Sequence, residues 1–310
     1  MNKYKYAPWL IVLAALLWAV DAPFRTFLTT ELSSTTIVLM EHLLIAVLVF
    51  VFLGKFLKEL KNLSWREWLA VAFIAIGGSA LATVFFTQSF VLFNFKPTVP
   101  ILLQKIQPFF AILFASIFLK EKLTKQFWVW ALLGIVGGYL LTFPDARITA
   151  FDLDGQTRGA LFALLAAFFW GGSTVFGRYV LRKVSFQAMT AIRFLVALVF
   201  LIFLNIYFGT LSEVSQASTK DWLYVCIIAI LVGFIALFIY YRGLRDTRAS
   251  IATMSELAFP LSSVVVSWVF LDAPLTWIQI AGGIILLFAI TRLSLVNQRE
   301  AEANKQQGTL

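Results

Sequence analysis

Ten apolar runs, each close to the length that crosses a lipid hydrocarbon core, follow one another along this chain with only short polar connections between them. A helix needs about 20 residues to span ~30 Å of hydrocarbon. The runs lie at 7–28, 36–54, 67–93, 97–119, 127–143, 158–180, 187–208, 222–243, 250–271 and 277–295. Connections such as Lys120-Glu121-Lys122-Leu123-Thr124-Lys125 leave no room for a soluble domain. The pattern predicts an all-α, polytopic integral membrane protein of ten transmembrane helices.

Composition supports the same solvent. Charged residues make up 13% of the chain and apolar residues 61%, with a mean hydropathy of +0.88. Soluble domains carry roughly 25% charged residues. A single soluble core stops growing near ~250–300 residues, so it cannot hide this apolar excess. Cys226 stands alone, which excludes an intramolecular disulfide and a multi-cysteine metal site. His42 is the one histidine, which excludes paired-histidine metal motifs. No metal, cofactor or catalytic residue is expected.

The net charge of +9 is carried mostly between the runs, which points to membrane orientation rather than to nucleic acid. With both termini inside, the inward connections hold eighteen basic residues and the outward ones five: Arg25, Lys96, Arg147, Arg158 and Lys220. The positive-inside rule therefore predicts cytoplasmic termini in a cell membrane. Lys3 and Lys5 ahead of an apolar run imitate a secretory signal. The same segment recurs mid-chain, which favours a retained first helix.

That recurrence is internal symmetry. A shift of 152 residues lays Leu13-Ala14-Ala15-Leu16-Leu17-Trp18 on Leu165-Ala166-Ala167-Phe168-Phe169-Trp170. It also matches Phe24 to Phe176, Pro108 to Pro260, and Leu123-Thr124 to Leu275-Thr276. Five spans is an odd number, so the second copy starts on the opposite side and runs inverted. The expected units are 1–145 and 156–296, two inverted five-helix repeats, followed by a disordered cytoplasmic tail at 297–310. Transporters of this design place the substrate near the membrane midplane, between the repeats.

Two inverted five-helix halves in about 300 residues resemble the EamA-type members of the drug/metabolite transporter superfamily. The residues that carry the likeness run from Pro108 through Phe118-Leu119-Lys120-Glu121-Lys122-Leu123-Thr124, a proline-containing helix followed by a Glu-x-Leu-Thr turn. The second copy keeps Pro260 and Leu275-Thr276 but has Ala273 in place of the glutamate. Glycines 134, 137, 138, 282 and 283 on the fifth and tenth spans also resemble the family. The resemblance implies a carrier for small organic solutes, often an amino-acid exporter, with a cavity lined by spans one, three, four, six, eight and nine. It also implies contact with membrane lipid and a homodimer through spans five and ten.

Ionisable groups within a membrane are expensive and mark function by default. Asp21, Glu41, His42, Lys105, Arg193 and Glu256 are such groups, with Gln104 beside Lys105. The repeat shift carries Glu41 onto Arg193 and Gln104 onto Glu256, which suggests two ion pairs of opposite sign order, Glu41–Lys105 and Arg193–Glu256. These pairs either fix helix register or bind substrate. Lys105 would hold a substrate carboxylate or phosphate, and Glu41, His42 and Asp21 an amine or a proton. Trp18 and Trp170 occupy equivalent positions and would wall the cavity. Pro108 and Pro260 are hinges for rocking, or static kinks.

The expected function is secondary transport by alternating access, export of a small polar metabolite such as an amino acid, with proton coupling open. The alternatives are cationic amines, and sugars or nucleotide derivatives. An intramembrane enzyme is disfavoured because no metal cluster or nucleophile turn is present. A nucleotide-binding loop is also absent, which leaves ATP-driven transport without an engine in this chain.

Overall fold

Structure is described for residues 3–95, 98–142, 145, 157–259, 262 and 276–306, in a computed structural model. Among these residues every regular element is a helix. Seven helical spans are long and apolar enough to cross a membrane: Tyr4–Glu31, Trp65–Leu92, Val99–Phe118, Thr157–Val180, Phe186–Phe208, Thr219–Leu244 and Trp277–Arg299. Two further apolar helices, Ser34–Leu60 and Lys125–Thr142, are described beside them. The ninth expected run is described as a regular helix only over Ala249–Glu256. Of the expected ten, seven are full-length spans among the described residues.

The elements are α1 (Lys3–Trp18), α2 (Asp21–Glu31), α3 (Ser34–Leu60), α4 (Trp65–Leu92), α5 (Thr98–Gln104), α6 (Gln107–Phe118) and α7 (Lys125–Thr142). They continue with α8 (Thr157–Val180), α9 (Phe186–Phe208), α10 (Thr219–Leu244), α11 (Ala249–Glu256) and α12 (Trp277–Gln306). Their starts have local causes. Ser33 and Ser185, 152 residues apart, each accept a backbone N–H three residues on and begin α3 and α9. Ser64 with Glu67, and Ser218 with Asp221, form capping boxes at the heads of α4 and α10. Thr124 and Thr276, from the repeated Leu-Thr, cap α7 and α12 in the same way.

Two departures from plain helix matter for the cavity. In α4 and α10 the backbone widens to π-helix over Phe73–Leu81 and Ile228–Ile235, at closely corresponding places in the third helix of each sequence repeat. The expected first, fourth and ninth spans are interrupted instead. The first breaks at Ala19–Val20 and the fourth at Lys105–Ile106, while α11 ends at Glu256 in a turn. The fourth-span break follows from Pro108, whose ring cannot share space with the carbonyl four residues back, that of Gln104. Gln104 is indeed the last residue of α5, and Pro108 lies in the first turn of α6, where its missing N–H costs nothing. Pro108 therefore separates two helices rather than kinking one. Pro260 lies outside the described residues; in sequence it stands four residues after Glu256, the spacing of Pro108 from Gln104.

Packing follows the small residues. α7 and α12 cross at Gly137 and Gly282: a Cβ on Gly137 would sit 2.6 Å from the Leu286 backbone nitrogen. Gly137 and Gly282, two of the glycines on these spans, thus meet each other within one chain. Gly77 and Gly78 admit α8 against α4, since side chains there would collide with Phe169 and Ser173. Glu121, of the Glu-x-Leu-Thr turn, accepts the backbone N–H groups of Ala249 and Ser250 at 2.8 and 3.2 Å. It caps the free donors at the head of α11 from the far end of α6.

The segment expected as a disordered tail is helical through Gln306. Its residues are strong helix formers. Gln298 donates to Glu302 one turn on at 3.0 Å, and Asn297 is tied to the carbonyls of Tyr4 and Asp246.

Candidate functional site

The breaks and π-segments surround one cavity, with about 200 Å³ open to the centre of a water molecule. Trp18, Asp21, Glu41, His42, Gln104, Trp170, Arg193 and Glu256 all line it. These are eight of the nine residues expected to bind substrate. The ninth, Lys105, lines a small adjoining space with Gln104, Gln107, Thr253 and Glu256.

The charges form separate groups. Arg25 on α2 holds Asp21 one turn earlier through two hydrogen bonds of 2.5 and 2.8 Å. It also reaches Thr87 on α4 at 2.8 Å and lies 2.9 Å from the carboxylate of Glu41 on α3. One guanidinium thus joins three helices. Arg193 on α9 finds only neutral acceptors: Ser79 Oγ at 3.1 Å, Tyr241 Oη at 2.9 Å and the Gly78 carbonyl at 3.0 Å. The Gly78 carbonyl belongs to the π-segment, where the altered register leaves a backbone oxygen available to a side chain.

His42 is locked beside this group. Its Nδ1 faces the Val38 carbonyl at 2.8 Å, which can only accept, so Nδ1 carries the hydrogen. Ser79 takes the Arg193 Nε–H and turns its own hydrogen to His42 Nε2 at 3.0 Å. Both ring nitrogens are satisfied, which makes His42 a positioning residue for Ser79 and Arg193 in this state.

Glu256, at the end of α11, accepts from Gln107 Nε2 at 2.5 Å and from the Tyr240 hydroxyl at 2.8 Å. Thr174 Oγ1 is 3.4 Å away. Gln104 donates to Gln107 at 2.5 Å, so one amide chain ties the end of α5 to the end of α11. The walls above this floor are aromatic. Trp18 packs on Tyr240 with centroids 5.3 Å apart, and Phe86 on Trp170 at 5.1 Å.

The EamA-like transporter family matches residues 5–143 and again 157–295. The chain belongs to that family. This makes it a multi-pass membrane transporter of the drug/metabolite transporter superfamily. A relative from Fusobacterium nucleatum subsp. nucleatum, named riboflavin transporter ImpX, is 35% identical over 299 residues, covering 96% of this chain and all of the relative. The uncharacterized transporter YvbV of Bacillus subtilis is 27% identical over 52% of this chain and 53% of its own. A solved crystal structure aligns with a TM-score of 0.73 over 94% of this chain and 98% of that one; at 20% identity it speaks for the fold alone. Amino-acid export, expected from the sequence, finds no support among these relatives.

Within this family member, neither expected ion pair forms. Glu41 is taken by Arg25, and Glu256 by neutral donors. Lys105 lies over the Phe259 ring, 5.4 Å from its centroid. Arg25, expected among the outward connections, is instead buried at 3% exposure on α2. Its signal was present: Asp21 and Arg25 are four apart, on one helix face. Ser79, Tyr240 and Thr174 carried no such signal, because hydroxyls are common in membrane helices and only packing selects them.

Proposed function

We propose that this protein carries riboflavin, or a closely similar neutral heteroaromatic solute, across the cytoplasmic membrane by alternating access about the central cavity. The observation that carries the reading is the pair of aromatic walls, Trp18 with Tyr240 and Phe86 with Trp170, in a chain related end to end to a named riboflavin transporter. A flat tricyclic ring can pack on aromatic side chains that line a cavity, where offset or edge contacts stabilise it. Ser173, Thr83, Gln104 and Gln107 also line the cavity and match ring heteroatoms and a polyhydroxylated side chain. Asp21, Arg25 and Glu41 engage one another, which speaks against a strongly charged cargo. The expected substrate role of Lys105 is correspondingly narrowed to the small space beside the cavity.

The two-repeat architecture supports the mechanism. Helix starts at Ser34 and Phe186, and at Lys125 and Trp277, recur at the 152-residue offset. The ends of α5 and α11, at Gln104 and Glu256, recur at the same offset. We read these as inverted halves, 1–145 and 156–296, with both termini cytoplasmic, hinged at Pro108 and Pro260. Exposed Trp128, Leu132, Ile284 and Phe288 on α7 and α12 are lipid-facing, and remain open to a second copy.

Flux of labelled riboflavin into proteoliposomes tests the reading. Saturable uptake, competed by unlabelled flavin and reduced by Trp170→Ala, is the expected result. Uptake no faster than into empty vesicles would reject riboflavin as the substrate.

A further inference from the structure

We propose that Glu256 is the site at which this carrier binds and releases a coupling proton. The inference rests on the transport reading but not on the identity of the solute.

The argument begins with what surrounds each buried carboxylate. Asp21 and Glu41 share Arg25, so each has a permanent cation beside it. Glu256 has none: among the described residues no lysine or arginine lies within ion-pair distance, and its partners are an amide and two hydroxyls. The charged and titratable groups that face it are Tyr240 from α10 and Lys105 from the α5–α6 break. Across the cavity stand Asp21, Arg25, Glu41, His42 and Arg193. α1, α8 and α12 also pack on α11, and none of their ionisable groups lines either space beside Glu256: Lys5 and Tyr6 on α1, Arg158, Arg178 and Tyr179 on α8, and Arg292 on α12, which stacks on Trp130. A carboxylate in this setting is the type of group that proton-driven carriers use.

The hydroxyls around it accommodate both protonation states without moving a heavy atom. With Glu256 ionised, Tyr240 donates its hydrogen to Oε1 at 2.8 Å. When a proton arrives on Oε1, that O–H donates to Tyr240, whose own hydrogen turns to Thr174 Oγ1 at 2.8 Å. Thr174 in turn donates to the Trp170 carbonyl at 3.3 Å. Each oxygen keeps a partner in both states, as a buried polar network requires. The balance is simple: hydronium gives its proton to the carboxylate and leaves water, and the reverse occurs on release.

Access and coupling are both in place. Glu256 lines the main cavity on one side. On the other it borders a space of about 20 Å³, large enough for one water molecule. The buried hydroxyl of Thr253, which has no hydrogen-bond partner among the described residues, also lines that space. Tyr240 packs on Trp18, and the relay ends on the backbone of Trp170. Both tryptophans therefore feel the state of the carboxyl, and Gln107 passes it to the broken fourth span.

The test uses the full-length protein in liposomes. In wild type, a pH gradient of one unit should drive riboflavin accumulation toward a ceiling of about ten-fold for one proton per solute. Glu256→Gln should give the same accumulation with and without the gradient, and Glu256→Asp should restore a difference. Infrared titration of the purified protein supplies a readout that needs no solute. A carboxylic-acid C=O stretch should grow in on acidification of wild type and be missing from Glu256→Gln. Should that variant not reach the membrane, Tyr240→Phe keeps the carboxyl and should shift the midpoint of the band. An accumulation by Glu256→Gln that still follows the gradient, or identical infrared titrations, would overturn the proposal. If wild type carries no riboflavin, the substrate reading fails while the infrared result still decides the proton site.

Discussion

Arg25 reaches from α2 to within 2.9 Å of Glu41 on α3 while keeping two hydrogen bonds to Asp21 on its own helix. Removing the cation leaves two buried carboxylates facing each other, and breaking such a group costs about 3–5 kcal/mol. Arg25→Ala is therefore expected to lower the thermal midpoint of the purified protein sharply. Glu41→Gln leaves Arg25 with Asp21 and Thr87, and should cost about half as much or less. Thermal unfolding in detergent ranks the two variants. Equal midpoints would mean that the pair does not tie α2 to α3.

The crossing of α7 and α12 offers a sharper contrast between neighbouring glycines. On Gly137 a methyl would meet backbone, 2.6 Å from the Leu286 nitrogen and 2.9 Å from the Gly282 carbonyl oxygen. No rotamer relieves that, so the helices must part, at about 1–3 kcal/mol. On Gly138 a methyl meets nothing within 4 Å. There alanine gains up to ~1 kcal/mol of helix propensity. Gly137→Ala should lower the unfolding temperature and Gly138→Ala should hold or raise it; the reverse order would refute the crossing.

Much of this architecture was legible in the sequence because lipid enforces it. Span lengths and the repeat follow from apolar runs and from Trp18 and Trp170 held at one offset. Pro108 marks the break in the fourth span, since the clash with the carbonyl four residues back explains why α5 stops at Gln104. What spacing could not give was pairing. Glu41 and Lys105 belong to separate apolar runs that could bring them together, yet Arg25, one turn beyond Asp21, is already beside Glu41. The π-segments were equally hidden, since Phe73–Leu81 reads as ordinary apolar helix. The tail is helical through Gln306, where its polarity suggested solvent, because its residues favour helix and Asn297 anchors it to Tyr4.

The aromatic walls predict a binding signature. Replacing Trp170 removes the partner of Phe86 and one surface for a flat ring. Aromatic pairs contribute about 0.5–1.5 kcal/mol beyond buried area, so Trp170→Ala should raise KM for riboflavin about three- to ten-fold. Trp170→Phe should recover most of it. Trp18→Ala should act similarly through the loss of its contact with Tyr240. Quenching of flavin fluorescence on binding reads the same losses at equilibrium, and unchanged affinity in both alanine variants would place the ring elsewhere.

Lys105 separates a cost to folding from a gain in function. It sits at the break between α5 and α6, half-buried over Phe259, in the small space that Glu256 borders. Among the described residues no carboxylate lies within ion-pair distance of it, so a charge there is half-buried without direct compensation. Groups kept under those conditions commonly trade stability for activity. Lys105→Met preserves the length of the stem and removes the charge. It is expected to hold or raise the thermal midpoint while slowing riboflavin flux several-fold. Lys120→Met, on the exposed turn after α6, provides the control and should leave flux unchanged. A fall in midpoint with flux retained would make Lys105 a structural residue and remove it from the transport cycle.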